Sequence, residues 1–263
     1  MKRIGQISSQ ASASLKAQLT PLSCSTFPNF ETAMEFGCDF VLLAEGNRLR
    51  LANSELGEKA ALEIDFFEGS LRHRRHFGGG RNQDLAKAVG LNRNPKISIL
   101  DATAGLGRDS FVMALIGATL KANEKNEVLV TLLQWAHLSA LEKAQADQDR
   151  ELVEVLERMR FRHRDTALDH ESDQFDVVYL DPMFPERQKT AKVKKEMQIL
   201  HQLLCEDQAD EESLFAVCIA AARSRLVIKR PLRAPAFADR SPQHQVRGKT
   251  VRYDLYVKQA LPE

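Results

Sequence analysis

A chain of 263 residues with 43% hydrophobic and 28% charged content can bury a full α/β core, which excludes both a disulfide-stapled miniature fold and a disordered chain. No apolar run approaches the roughly 18 residues of a membrane helix, and the net charge of +1 gives no whole-chain sign of a nucleic-acid partner. Four cysteines (Cys24, Cys38, Cys205, Cys218) stand far apart, and Lys2 and Arg3 are followed by no apolar leader core, so reduced thiols and a cytoplasmic protein are expected.

Taken in chain order, residues 1 to about 90 read as strands and turns. An apolar run from Cys38 to Leu43 breaks at Glu45-Gly46-Asn47-Arg48 and resumes from Leu49 to Ala52, which predicts a hairpin. A second strand pattern, Leu62 to Phe67, leads through the basic stretch Arg72 to His76 to the triple glycine Gly78 to Gly80, a break in regular structure. A β-rich N-terminal subdomain of residues 1–85 and a second domain of residues 86–263 are therefore expected. His73 and His76 have no cysteine or further histidine nearby in sequence, so no metal site is expected.

Beyond residue 95, short apolar runs alternate with longer amphipathic ones. Ile97 to Leu100 and Thr119 to Ala122 read as strands, Ser110 to Ile116 as a helix, and Leu138 to Met159 as a long helical pattern. Phe175 to Leu180 is a candidate buried strand, Ala191 to Cys205 has helical spacing, and Arg225 to Lys229 and Tyr253 to Val257 supply later strands. The sum predicts an α/β, doubly wound, mostly parallel sheet. Trp135, beside Leu132, Leu133 and Leu138, reads as core, and the acidic cluster Glu206 to Glu212 as a solvated loop.

Two local signals carry chemistry. The segment Ile99 to Asp109 runs from an apolar strand ending in Asp101 through a Gly105-x-Gly107 turn into a helix, where glycine lets backbone approach a ligand closely. Glu124, nineteen residues after Gly105, is placed to accept both hydroxyls of a ribose. The third glycine of the dinucleotide fingerprint is replaced by Ser110, and Asp101 would repel a pyrophosphate while suiting the cationic sulfonium of S-adenosylmethionine. The second signal is Asp181-Pro182-Met183-Phe184-Pro185, directly after the strand Phe175 to Leu180. Its prolines restrict the backbone, so that Asp181 and the Pro182 carbonyl could accept from one exocyclic amine while Phe184 stacks on the base.

The Asp-Pro-Met-Phe segment resembles the Asn/Asp-Pro-Pro-Tyr/Phe motif of class I methyltransferases acting on base amines, with Met183 in place of the second proline. Together with Asp101 to Asp109, Leu180 to Pro185, Val193 to Met197, Val227 to Pro231, Phe77 to Arg81 and Ala86 to Gly90, the chain from about residue 70 onward is similar to the ribosomal RNA small subunit methyltransferase J family. That resemblance implies a Rossmann-like fold, S-adenosylmethionine as cofactor, and small-subunit ribosomal RNA or the small ribosomal subunit as partner. The implied reaction is methyl transfer to N2 of one guanine near the RNA 3′ end. It also implies a cofactor pocket built from Asp101, Gly105, Gly107, Arg108, Asp109, Glu124, Lys125, Asp165 and Thr166, with Asp181 at the junction with the target base. Three alternatives stay open: an NAD-dependent oxidoreductase, an adenine-N6 methyltransferase, and a nonenzymatic RNA-binding assembly factor on the same fold.

The charge is partitioned along the chain: +2 for residues 1–95, −6 for 96–181 and +5 for 182–263. The acidic centre suits a cationic cofactor. The basic C-terminal region suits phosphates, and Arg187, Lys189, Lys194, Lys195, Lys229 and Arg230 are the candidate RNA contacts.

Overall fold

The computed structural model describes residues 2–67, 75, 80–168, 174–182, 195–204 and 210–262. It divides into two compact units, one of Met1–Asp65, Asn126–Ser139 and Pro185–Gln208, the other of Phe66–Lys125, Ala140–Phe184 and Ala209–Glu263. Among the described residues no helix is long and apolar enough to cross a membrane.

The first unit is built on a five-stranded sheet ordered β2-β1-β3-β4-β5, comprising β1 (Ile4–Ile7), β2 (Ser25–Thr26), β3 (Phe40–Glu45), β4 (Arg48–Asn53) and β5 (Leu62–Glu63). The expected hairpin is β3 and β4, antiparallel from Phe40↔Asn53 to Glu45↔Arg48 around the two-residue loop Gly46-Asn47. Two short helices that the polar composition concealed also belong here. Helix α1 (Ala13–Leu19) is capped by the Ser12 side chain, which accepts from the Leu15 N–H, and α2 (Phe30–Glu35) by Asn29, which accepts from the Thr32 N–H. Leu15 and Leu19, one turn apart, bury their side chains, which is enough to hold a seven-residue helix whose other positions are exposed apart from the half-buried Gln18. The strand expected over Leu62 to Phe67 is only two residues long.

The second unit holds a seven-stranded sheet. Its strands are β6 (Ser98–Asp101), β7 (Thr119–Glu124), β8 (Met159–His163), β9 (Phe175–Leu180), β10 (Ala222–Pro231), β11 (His244–Arg247) and β12 (Val251–Val257). The order is β11-β12-β10-β9-β6-β7-β8. The five strands from β10 to β8 run parallel, while β12 and β11 are antiparallel additions at one edge. This is the mostly parallel, Rossmann-like arrangement expected. The central strands are apolar along their length because both faces are covered, and Val177, Val178, Tyr179 and Leu180 have no exposed surface.

The helical pattern read from Leu138 to Met159 divides differently. After α3 (Asp84–Val89) and α4 (Arg108–Ile116), one helix, α5, spans Glu127–Ala146, Asp149 caps α6 (Arg150–Glu157) by accepting from the Leu152 N–H, and Met159 opens β8. The break falls at Gln148, a non-glycine residue at φ +58, between two helices whose amphipathic periods join smoothly in sequence. Trp135 is buried as expected, and its indole N–H donates to the Asn47 carbonyl at 3.0 Å within the first unit. Asp210 caps the helix Glu211–Ala221, so the described end of the acidic cluster is a helix start rather than a loop. His73, His76 and the glycines 78 and 79 lie outside the described residues.

Phe66 opens the second unit. Its ring stacks against Phe111 at 5.8 Å and Phe161 at 5.6 Å between centroids, with 1% of its surface exposed. Phe66→Ala should lower the unfolding free energy by about 3–5 kcal/mol, read as a fall in the urea midpoint at unchanged slope.

Candidate active site

Strand order places the site. The chain runs from β6 outward to β7 and β8, then returns to the other side of β6 for β9 and β10, so the order reverses between β6 and β9. In open α/β sheets this leaves a crevice at the carboxyl ends of those two strands, and here those ends are Asp101 and the Leu180-Asp181 junction.

After β6 the chain turns at Ala102–Gly107 into the helix α4 (Arg108–Ile116). Gly105 at φ +55 and Gly107 at φ +68 take the left-handed conformation that a side chain disfavours. A Cβ built on Gly105 would meet nothing closer than the Thr103 carbonyl at 3.9 Å, so the space above it is open to a ligand. The turn is tied to its neighbours on every side. The Ala102 N–H donates to the Tyr179 carbonyl (2.8 Å), the Ala104 N–H to the Asn123 carbonyl (2.9 Å), and the Thr103 hydroxyl accepts from the Asp181 N–H (2.8 Å). Gly105 donates its own N–H to Glu124 Oε2 at 3.0 Å, which brings the acidic follower at the end of β7 onto the glycine turn.

The expected pocket residues divide by what already holds them. Asp101 is buried, accepts from the Thr103 N–H at 3.2 Å and is hydrogen-bonded by the Ser110 hydroxyl. The residue that replaces the third glycine thus caps the carboxylate at the strand end, a role that sequence reasoning missed. Thr166 is buried too, and its hydroxyl donates to the Ala102 carbonyl (2.9 Å) while accepting from Asn123 Nδ2 (3.1 Å). It braces the turn from behind. Asp165 is exposed and accepts from the Ala167 N–H, and the Lys125 carbonyl lies 3.0 Å from His163 Nε2. Arg108 and Asp109 begin α4.

On the other side of the crevice, Asp181 and Pro182 leave β9 partly exposed. Lys229 Nζ donates to Asp181 Oδ2 at 2.8 Å and to Asp109 Oδ2 at 2.7 Å, and the buried Tyr179 hydroxyl donates to that same Asp109 oxygen at 2.7 Å. Two expectations need correction here. Lys229 is not a cation offered to RNA phosphate, because its ammonium is engaged by two carboxylates. Arg230 is 3% exposed, donates through Nε and Nη2 to the Pro235 carbonyl (3.2 and 2.9 Å) and covers the Phe237 ring. Alternation along β10 turns adjacent cations to opposite faces, and both faces are covered. Lys195, in contrast, is exposed at the start of the helix Lys195–Leu204. Phe184, Arg187, Lys189 and Lys194 lie outside the described residues.

The electrostatics follow from burial. Asp101 is pushed up to about 7 by desolvation, against the Ser110 and Thr103 hydrogen bonds that favour its ionised form. Asp181 is also raised, by burial first, with Lys229 pulling it down and Asp109 pushing it up. Burial opposes the charge on Lys229, but the two carboxylates outweigh it and hold the ammonium above its ordinary value.

Comparison with known proteins agrees with this architecture. Residues 27–258 match a family described as "Putative SAM-dependent methyltransferase". The chain is 42% identical over 230 residues to the ribosomal RNA small subunit methyltransferase J of Cellvibrio japonicus, covering 86% of each chain. It is 41% identical over 226 residues to the protein of that name from Colwellia psychrerythraea, covering 86% of this chain and 80% of the other. The crystal structure of a SAM-dependent methyltransferase from Neisseria gonorrhoeae superposes with a TM-score of 0.73 at 29% identity, covering 97% of this chain and 95% of that one.

Asp101 allows a test of the buried cluster. A carboxyl whose folded value lies above its unfolded value of 3.8 favours the fold below that value, and the contribution is lost as pH rises towards 7. In Asp101→Asn, which cannot titrate, the fall in stability between about pH 4 and 7 should be shallower than in the unmodified protein, by at most about 1.4 kcal/mol per pH unit, measured by urea unfolding across that range.

Proposed function

The chain belongs to the ribosomal RNA small subunit methyltransferase J family of S-adenosylmethionine-dependent methyltransferases, and on that premise we propose that it methylates the exocyclic N2 amine of one guanine near the 3′ end of small-subunit (16S) ribosomal RNA. The observation that carries the reading is Asp181-Pro182 at the carboxyl end of β9, tied through its backbone N–H to the Thr103 hydroxyl of the glycine turn. Cofactor turn and amine-binding segment are thereby joined by one 2.8 Å hydrogen bond.

The open space at Gly105 and the carboxylates around it fit the cofactor. Gly105 and Gly107 would let the backbone approach it, Glu124 would accept from the ribose hydroxyls, and Asp109 with Asp181 would face its positive charge. Arg108, Lys125 and Asp165 would line the adenosine end. Asp101 and Thr166 support the pocket through the turn they brace. When bound, S-adenosylmethionine supplies an electrophilic methyl group on sulfonium sulfur.

The work left to the protein is to make a poor nucleophile competent. The lone pair of a guanine amine is delocalised into the ring, and acceptors on both of its hydrogens favour density on nitrogen in the transition state. Asp181 and the Pro182 carbonyl are the acceptors, and Asp181 serves only in its ionised form. The proton that the amine sheds passes to Asp181 or to water. Withdrawing the base from its stack costs a few kcal/mol, and stacking on Phe184 returns on the order of 1–3 kcal/mol of that. RNA phosphates meet the basic stretch Arg187, Lys189, Lys194 and Lys195.

Mapping methylated nucleotides in ribosomal RNA from cells with and without the protein should reveal one lost methylguanine that purified protein and S-adenosylmethionine restore. No lost methylguanine overturns the assignment. Asp181→Ala should reduce kcat by about 10²–10³-fold while S-adenosylhomocysteine binding by calorimetry changes little. Lys195→Gln should lower the slope of log affinity for RNA against log salt by about 1, measured in a salt series.

A further inference from the structure

Three elements far apart in sequence converge on the ammonium of Lys229. The parallel register of β10 on β9 pairs Ile228 with Leu180, which sets Lys229 level with Asp181, and the first turn of α4 brings in Asp109. Two of the three ammonium protons are committed, to Asp181 Oδ2 at 2.8 Å and Asp109 Oδ2 at 2.7 Å, and the buried Tyr179 hydroxyl donates to that same Asp109 oxygen at 2.7 Å. Among the described residues Asp181 Oδ1 accepts no hydrogen bond.

We propose that Lys229 is a positioning residue for methyl transfer: it holds Asp181 by Oδ2 so that Oδ1 and the Pro182 carbonyl are presented together to the acceptor amine, and Asp109, anchored by Tyr179, holds Lys229 in turn. The inference rests on the reading of Asp181 as the amine acceptor. An aspartate carboxylate, which turns about both Cα–Cβ and Cβ–Cγ, would otherwise sweep several orientations, and a displacement of about 1 Å at a reacting group costs about 100-fold in rate. The same contact favours the ionised form of Asp181 against burial and Asp109. The groups facing it are the carboxylates of Asp101 on β6 and Asp109 on α4, the phenols of Tyr179 on β9 and Tyr253 on β12, and the cation that offsets them, Lys229 on β10. Without Lys229, burial and Asp109 remain to favour the protonated carboxyl.

The test is the pH profile of kcat/KM for methylation of the unmodified ribosomal RNA by Lys229→Gln, Lys229→Arg and Asp109→Asn, with folded protein counted by circular dichroism and urea unfolding rather than by cofactor binding. Lys229→Gln should lower kcat about 100-fold per folded site, with KM for RNA changed less than about threefold, and should move the acid limb to higher pH. Lys229→Arg should return the limb to its original position. Asp109→Asn removes a negative neighbour and should move the limb the opposite way, to lower pH, with a reduced kcat, which keeps the test decisive if Lys229→Gln does not fold. A role in packing alone would change the folded fraction and leave the limb in place in all three variants, and that result overturns the proposal. Absence of methyl transfer by the unmodified protein would instead overturn the reading of the site on which the proposal rests.

Discussion

The side-by-side parallel pairing of β6 and β9 is the constraint on which the site depends. The residues involved are far apart in the chain, yet Ile99, Leu100 and Asp101 pair in register with Val177, Val178 and Tyr179. That register brings the glycine turn against the Asp-Pro segment and sets the Thr103 hydroxyl under the Asp181 N–H. A slip of one residue would reverse which face each side chain meets, so the apolar faces of both strands hold the register as much as the hydrogen bonds do. The chemistry at the strand ends therefore inherits its precision from a core of Ile, Val and Leu that touches no ligand.

Polar groups at the end of a buried sheet must be satisfied, and three of the expected pocket residues are occupied in that task. Asp101 is held by Ser110 and Thr103, Thr166 by Ala102 and Asn123, and Glu124 by Gly105. Each bond stiffens the turn. The replacement of a third glycine by Ser110 gains a physical meaning here, since a hydroxyl at that helix position reaches back to the carboxylate closing β6, whereas a glycine would leave a buried acceptor short of a donor.

The basic C-terminal region shows how a composition-level argument is limited. Its excess charge is real, but Lys229 is spent between two carboxylates, Arg230 on the Pro235 carbonyl and Arg252 on Asp254 inside the sheet. Counting cations measures the field at long range and does not tell which of them a phosphate can reach. The acidic character of residues 96–181 is more local in effect, because Asp101, Asp109, Glu124 and Asp181 all stand at one edge of one sheet.

What the sequence determined by itself was whatever depends on neighbours in the chain. The period of the apolar residues marked β6, β7, β9, β10 and β12, the Gly105-x-Gly107 turn announced its left-handed backbone, and the motif Asp181-Pro182 marked a strand end, because each is a property of a few consecutive residues. Helix α1 escaped notice because two buried leucines among polar residues make too weak a period, and the break at Gln148 because Asp149 caps a helix whose phase continues the one before. Only the tertiary structure decided which charges meet. Lys229 lies 120 positions from Asp109 and 48 from Asp181, so their contact exists only once strand order and register are set. Those are in turn set by burial of apolar surface across the whole sheet, a sum that no local window of sequence contains.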